Sequence, residues 1–261
     1  MAIGSGEGFR KEAGIARFVL VHGAFGGAWC WEPVIAPLEA AGHTVDAPDL
    51  PGCGADHTPV EAVTLASYAK RVCDVLASRP EQAILVGHSM GGVVMTQAAS
   101  DCPEHVASLV FVGAFMPANG QSLLDLAHLP ESNDLIQANI VIEGDPPVAS
   151  LSAETSAEVI YSGCTSELTA WAVARHRPQP VAPYVTPVSI DDGTLAAVPR
   201  SYVVTKRDRA MAPALQWRMI REHPCQRVIE LDSDHAPQVS ATDGLVAALL
   251  ELAGEPVASV R

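Results

Sequence analysis

Ser89 stands at the centre of the pentapeptide Gly-His-Ser-Met-Gly, residues 87–91. A Gly-x-Ser-x-Gly motif is typical of a nucleophilic serine held in a strained turn between a strand and a helix. Glycines suit the flanking positions because a Cβ atom there would collide with the neighbouring strand or helix. A strand-like run precedes the motif and a helical pattern follows it. We therefore predict that Ser89 is a nucleophile, and that the adjacent His88 points away from it into the packing under the helix.

A serine nucleophile needs a base that takes its proton and an acid that orients the base. His235 and Asp208 each follow a late strand-like run, and we predict that they are the base and the acid. The resulting order Ser-Asp-His is one in which such triads occur. Asp208 could instead form a surface ion pair with a neighbouring arginine. Asp232 and Asp234 are the alternative acids, although a residue adjacent to His235 reaches its ring poorly.

Two backbone N–H groups should stabilise the oxyanion that forms during acyl transfer. One predicted donor is Met90, directly after the nucleophile. The other is Ala24, with Gly23 as the alternative, in the glycine-rich segment 22–27. A dinucleotide-binding loop is a poor alternative because this segment does not match Gly-x-Gly-x-x-Gly.

These side chains must be positioned by strands that alternate with helices. The sequence predicts an α/β fold with a mostly parallel sheet of about six strands and helices on both faces. The predicted strands are 18–21, 44–50, 83–86, 106–112, 201–204 and 227–231. The predicted helices are 29–41, 65–78, one from the serine turn to about 100, 213–222 and 242–253.

The alternation stops in the middle of the chain. Residues 116–197 have many prolines and helix-like pieces but no clear strand-helix alternation, so we expect a cap inserted over the sheet. Residues 17–115 and 198–261 would then form the core domain. Residues 1–16 are rich in glycine and charge, which favours a flexible leader over a signal peptide.

Composition narrows the classes of partner. The chain has 261 residues and a net charge of −14, which disfavours nucleic acid and anionic membrane surfaces as partners. Its six cysteines are scattered without close pairing, so we expect free thiols and a cytoplasmic location. No metal-ligand spacing is present, and we expect neither a metal nor a cofactor.

Several segments together resemble one branch of the α/β-hydrolase superfamily, that of the plant methylesterases and hydroxynitrile lyases. Bacterial carboxylesterases that hydrolyse pyrethroids are similar in the same segments. The resemblance extends from about Arg17 to the end of the chain, and it implies the α/β-hydrolase fold. The segments that carry it are 19–31, 47–50, 87–92, 161–164, 177–180 and 234–237 with Ser240.

Two departures separate ester hydrolysis from cyanide chemistry within this branch. The lyases have a threonine after the first-strand histidine and a lysine after the catalytic histidine. Gly23 and Ala236 occupy those positions here. Without a cation beside His235, a cyanide leaving group has no stabilising partner.

We therefore predict a serine carboxylesterase that cleaves small to medium hydrophobic esters or lactones through an acyl-enzyme on Ser89. Hydrophobic and aromatic side chains of the cap should form its substrate pocket, although each could instead pack the cap onto the core. The predicted substrate-binding residues are Gly23, Phe25, Phe115, Met116 and Trp171.

Other functions remain open at this point. The same pocket could serve a specialised enzyme of secondary metabolism, such as a cyclase, a lactonase or a thioesterase, because a fold does not determine its chemistry. A non-catalytic ligand receptor is a weaker alternative, since the triad is complete. The expected partner is a small hydrophobic ester, with a homodimer as the assembly if the chain is oligomeric.

Overall fold

Residues 14–133 and 135–254 are described by a computed structural model. Most of the predicted leader therefore lies outside the described residues. Its last residue, Ala16, already packs with the core, because its N–H donates to His43 Nδ1 over 3.1 Å and its carbonyl accepts from Thr44.

The core of the fold is a six-stranded parallel sheet with the order β2-β1-β3-β4-β8-β9. This confirms the predicted fold class. The strands of the chain are β1 Arg17–Val21, β2 Thr44–Asp46, β3 Ala83–His88, β4 Val106–Val112, β5 Val141–Glu143, β6 Val148–Ser150, β7 Gln179–Pro180, β8 Arg200–Thr205 and β9 Arg227–Leu231.

Helices connect the strands and cover both faces of the sheet. The α-helices are α1 Glu32–Ala40, α2 Leu65–Ala77, α3 Gly91–Asp101, α4 Leu123–Ala127, α5 Ala153–Thr155, α6 Ser166–Val173, α7 Ala182–Val185, α8 Asp192–Ala196, α9 Pro213–Glu222, α10 Pro237–Ser240 and α11 Thr242–Leu252. Short 3₁₀ helices span Ala28–Trp31, Val60–Ala62 and Pro103–His105, and a π-helical turn spans Ser156–Ile160.

Alternate residues of the central strands face two separate hydrophobic layers. On β1, Phe18 and Leu20 belong to the layer that α1 and α11 cover. Val19 and Val21 belong to the layer that contains α2, α3 and α9. All four are fully buried, which explains why these strands are apolar on both faces. The carboxyl ends of the parallel strands meet at one edge of the sheet, where functional loops of such folds lie.

Strand β2 is shorter than predicted. It ends at Asp46, and residues 47–50 continue as an extended loop. Pro48 lacks a backbone N–H and cannot donate to a sheet ladder. The loop is instead held by a hydrogen bond of 3.1 Å from the N–H of Leu50 to His22 Nε2.

The segment 116–197, which we call the cap, lies between β4 and β8 and contains α4 to α8. It also contains a three-stranded antiparallel sheet, β5-β6-β7, that the sequence did not predict. Each of these strands has only two or three residues, too few for a period-2 pattern to be visible. The cap boundaries themselves stay a prediction.

The cysteine prediction was wrong for one pair. Cys73 on α2 and Cys102 at the end of α3 form a disulfide, with Cα atoms 6.1 Å apart. The two lie 29 positions apart in sequence, and only the packing of α2 against α3 brings them together. The free cysteines are Cys30, Cys53, Cys164 and Cys225. Among the described helices none is long and apolar enough to cross a membrane.

Candidate active site

Ser89 occupies the turn between β3 and α3 with a φ angle of +54°. This left-handed backbone is rare for a residue with a side chain, and it is the conformation of a strained nucleophile turn. The neighbouring glycines are required by space. A Cβ atom on Gly87 would lie 2.7 Å from Gly91 O, one on Gly91 would lie 2.5 Å from Val21 O, and one on Gly92 would lie 2.1 Å from Phe115 O.

His235 connects Ser89 to Asp208. Its Nε2 lies 3.0 Å from Ser89 Oγ, and its Nδ1 lies 2.7 Å from Asp208 Oδ2. All three residues are buried, although they come from three different loops at the carboxyl edge of the sheet. The structure thus brings together the three side chains that the sequence predicted as nucleophile, base and acid.

Asp208 lies in the turn after β8, and its carboxylate accepts hydrogen bonds from four donors besides His235. Oδ1 accepts from the N–H groups of Ala210 and Met211 at 2.8 and 2.7 Å. Oδ2 accepts from Thr205 Oγ1 at 2.7 Å and more distantly from Gln216 Nε2 at 3.4 Å. These bonds compensate the burial of the carboxylate and direct its second oxygen toward His235.

The alternative acids are engaged elsewhere. Asp232 is 71% exposed and pairs with Arg207 at 3.0 Å, which also removes that arginine as a partner for Asp208. Asp234 is buried, but its oxygens accept from the N–H groups of Gly163 and Ala236 at 2.7 and 3.1 Å and from Ser240 Oγ. Asp234 therefore ties the histidine loop to the cap instead of contacting the imidazole.

Charge controls the protonation of the base. Burial lowers the pKa of His235, but the negative charge and hydrogen bond of Asp208 raise it by more, so the pKa lies above its ordinary value. Asp208 therefore stabilises the imidazolium that forms when His235 takes a proton.

His88 is buried, and its two ring nitrogens are hydrogen-bonded to the segment 235–238, whereas the sequence predicted that it packs under the helix. Its Nε2 donates to His235 O over 2.6 Å, and its Nδ1 accepts from Gln238 Nε2 at 3.4 Å. Burial lowers the pKa of His88 well below its ordinary value, so it is neutral. His88 therefore supports the backbone of the catalytic histidine loop, a role that the sequence did not indicate.

The loop after β1 approaches the nucleophile closely. A Cβ atom on Gly23 would lie 3.0 Å from Ser89 Cβ and 2.9 Å from His88 Nδ1. His22 fixes this loop, since its Nδ1 donates to Gly23 O over 2.8 Å while its Nε2 accepts from Leu50. Burial lowers the pKa of His22, which keeps the neutral form that this bonding pattern requires.

Ala24 and Met90, the predicted oxyanion donors, both line the cavity beside Ser89. Neither backbone N–H has a hydrogen-bond acceptor within residues 14–133 and 135–254. Met90 stands at the start of α3, where the helix N-terminus favours negative charge. The two amides are therefore available to an oxyanion, and this assignment stays a prediction.

The cavity above Ser89 has a volume of about 170 Å³ and is lined mainly by hydrophobic side chains. Three of the predicted substrate-binding residues, Gly23, Phe25 and Phe115, line it. Met116 and Trp171 are not among its lining residues. Instead, Met116 is buried beside Met219, and Trp171 of the cap packs edge-on against Trp29 of the core domain. The cap residues that line the cavity include Leu123, Leu124, Ile136, Ile140, Ile142, Ile160, Tyr161, Val181, Tyr184 and Val185.

Cys30 is a second potential nucleophile on the cavity wall. Burial raises the pKa of its thiol to about 12, so the reactive thiolate is scarce at neutral pH. No group of three or more metal-ligating side chains occurs in the described part of the chain.

A buried Ser-His-Asp triad at the carboxyl edge of a parallel sheet, under a hydrophobic cavity, is the arrangement that serine hydrolases of the α/β type have. The model of the alpha/beta hydrolase family matches residues 18–248. The chain belongs to this family, as the sequence resemblance predicted.

Relatives of this chain carry esterase names. The chain is 37% identical over 248 residues to putative methylesterase 11, chloroplastic, of Arabidopsis thaliana. The matched region covers 91% of this chain and 64% of that protein. The chain thus spans less than two thirds of the length of that relative. Among solved structures, polyneuridine aldehyde esterase superposes with a TM-score of 0.83 at 26% identity and covers 92% of this chain and 99% of that one. A pyrethroid hydrolase from Sphingobium faniae JZ-2 has a TM-score of 0.83 at 28% identity and covers 93% and 99%.

Proposed function

We propose that the protein is a carboxylesterase that cleaves small to medium hydrophobic esters, or lactones, through an acyl-enzyme on Ser89. The observation that carries this proposal is the continuous contact from Ser89 Oγ through His235 to Asp208, at 3.0 and 2.7 Å, on the floor of a hydrophobic cavity. The esterase names of the relatives support it.

Acylation begins when His235 Nε2 takes the hydroxyl proton of Ser89 as Oγ attacks the ester carbonyl carbon. The carbonyl oxygen becomes an oxyanion that the N–H groups of Ala24 and Met90 stabilise. Protonated His235 then donates its proton to the leaving alkoxide, and the alcohol departs. Water enters, loses a proton to His235 and attacks the acyl carbon, after which the same proton returns to Ser89 Oγ and the carboxylic acid is released.

The cavity supports a small or medium hydrophobic substrate. An engineered hydrophobic cavity of about 150 Å³ in another protein binds benzene, so about 170 Å³ accommodates a ring-sized group. Ile142 and Val185 line the cavity and are 56% and 49% exposed, which places them at its mouth. A longer acyl or alcohol group can extend past them.

The missing lyase residues support hydrolysis. Ala236, at the position of the lyase lysine, is buried on the cavity wall and carries no charge. A threonine at Gly23 would have its Cβ 2.9 Å from His88 Nδ1 and 3.0 Å from Ser89 Cβ. This backbone therefore has no room for the threonine that the lyases have at the position of Gly23.

A cytoplasmic location and a small-molecule partner remain part of this proposal. The four free cysteines are compatible with a reducing compartment, whereas the Cys73–Cys102 disulfide is more typical of an oxidising one. The name of the relative, putative methylesterase 11, chloroplastic, places that protein in the chloroplast. Fractionation of the native host with compartment markers separates these locations.

A panel of esters on wild type and Ser89→Ala tests the proposal. The panel contains short and long p-nitrophenyl esters, bulky aromatic methyl esters and a lactone. We expect wild type to hydrolyse several hydrophobic esters, with a rate at least 10⁴ times that of Ser89→Ala. Hydrolysis of none would favour a specialised enzyme, such as a cyclase. Cyanide release from mandelonitrile without ester hydrolysis would favour a lyase.

A further inference from the structure

The segment Arg-Pro-Gln-Pro, residues 177–180, is not used by the triad or by the oxyanion donors. It follows helix α6 of the cap and leads into β7. Its first residue, Arg177, does not line the cavity, yet it contacts two loops of the core domain. These loops are 22–27 after β1 and 51–58 after β2.

Arg177 bonds the two loops through different atoms. Its backbone N–H donates to Phe25 O over 3.1 Å. Its Nη1 donates to Gly54 O over 2.7 Å and to Asp56 O over 2.9 Å. Both carbonyl groups accept from the same Nη1 nitrogen, so the guanidinium is anchored to the second loop at two points. The backbone N–H that bonds Phe25 is therefore held in place from the second loop.

Phe25 needs such support because its φ angle is +62°. This left-handed conformation is disfavoured for a bulky residue and persists only where the surroundings enforce it. The cap also holds its side chain, since the ring of His176 stacks on that of Phe25 with centroids 6.0 Å apart. Burial lowers the pKa of His176 to about 4, so this ring is uncharged at neutral pH.

The strained residue directly follows Ala24. A relaxation of Phe25 to a negative φ would change the course of the backbone at Ala24 and displace the N–H that we propose as an oxyanion donor. Strain at functional sites is commonly maintained in this way by contacts outside the site.

We propose that Arg177 is a positioning residue, which clamps Phe25 in its left-handed conformation and thereby holds the N–H of Ala24 where the oxyanion forms. The inference rests on the proposed acyl-transfer chemistry. It assigns to the cap a part in transition-state stabilisation in addition to substrate binding. Arg177 would affect kcat through Ala24 without touching the substrate.

Arg177→Met tests this inference, because methionine keeps part of the apolar stem but removes both side-chain hydrogen bonds. Loss of one oxyanion donor costs about 10²–10³ in kcat, so a displaced donor should lower kcat about 10–100-fold. KM should change less than twofold. Arg177→Lys keeps a cationic donor but loses the reach and planar geometry of the guanidinium, so its kcat should lie between those of Arg177→Met and wild type.

Arg175→Gln is the matched control. Arg175 lies two positions away in the same cap segment, but among the described residues its guanidinium contacts are with Trp171, through the backbone carbonyl at 2.8 Å and the ring at 4.6 Å. We expect its kcat to stay within twofold of wild type. An equal loss in both arginine variants would show general destabilisation of the cap and overturn the inference.

The rate of Ser89 labelling by a fluorophosphonate probe gives a second readout, because phosphonylation also places charge on an oxygen. We expect Arg177→Met to slow labelling in parallel with kcat. Unchanged kcat and labelling, or a rise in KM alone, would overturn the inference. If wild type neither hydrolyses esters nor reacts with the probe, the proposed function fails instead. If Arg177→Met does not fold, unchanged kcat in Arg177→Lys would overturn the inference.

Discussion

Asp208→Asn is the substitution whose effect the hydrogen bonds around the triad define most completely. Asp208 Oδ1 accepts from the N–H groups of Ala210 and Met211, and Oδ2 accepts from His235 Nδ1. Asparagine must keep its carbonyl oxygen at the first position, because an NH₂ group there would face two backbone donors. Its NH₂ group therefore faces His235 Nδ1.

This orientation reverses the tautomer of the base. A facing NH₂ group can only donate, so Nδ1 must accept and the ring proton moves to Nε2. Nε2–H then points at Ser89 Oγ, 3.0 Å away, and cannot take the serine proton. The same change in another serine hydrolase lowers kcat about 10⁴-fold. We expect a loss of roughly 10³–10⁴-fold, or about 4–5.5 kcal/mol of transition-state stabilisation.

The assay is steady-state hydrolysis of the best ester from the panel, with circular dichroism and thermal unfolding as checks of the fold. Asp234→Asn is the matched control, because it makes the same chemical change at a carboxylate that contacts Gly163, Ala236 and Ser240 but not the imidazole. We expect its kcat to fall less than tenfold. Near-normal activity in Asp208→Asn together with collapse in Asp234→Asn would refute the assignment of the acid.

Three further predictions concern the pH dependence of activity, the packing at Gly92 and the disulfide. Activity requires neutral His235, and since Asp208 raises its pKa despite burial, kcat/KM should fall as pH decreases, with a midpoint above the ordinary value of 6.5; a midpoint below 6.5 would contradict this. Gly92→Ala places a Cβ 2.1 Å from Phe115 O and should cost about 1–3 kcal/mol or more in unfolding free energy, measured by urea denaturation, whereas Gly14→Ala, with no atom within 4 Å, should cost little. Reduction of Cys73–Cys102, which closes a loop of 29 residues, should lower the unfolding free energy by about 3–4 kcal/mol in the chain-entropy estimate; no change in melting temperature after verified reduction would contradict it.

Much of the fold could be predicted because its strands are buried on both faces. Such strands appear as short apolar runs, and 106–112 was predicted with the bounds that the structure has. The bounds of the partly exposed edge strand 227–231 were also predicted correctly. The cap could not be predicted in the same detail. Its strands β5 to β7 have two or three residues each, and their pairing depends on contacts that are distant in sequence. The Cys73–Cys102 pairing depends likewise on helix packing.

The three triad positions could be inferred because each side chain follows a strand, and parallel strands end at a common edge. Substrate contacts had no comparable signal. Phe115 and Met116 are adjacent and both hydrophobic, yet only Phe115 lines the cavity. The direction of a side chain from an irregular segment is determined by tertiary packing. The link from Arg177 to Phe25 is of the same kind, since it joins residues 152 positions apart through a backbone contact.

The most direct test of the central claim is mass spectrometry of protein quenched during turnover of a slowly deacylating ester. We predict an adduct with the mass of the acyl group, mapped by fragmentation to Ser89, absent from Ser89→Ala and abolished by hydroxylamine. Turnover without an adduct, an adduct on Cys30 in the same cavity, or full turnover by Ser89→Ala would contradict the account.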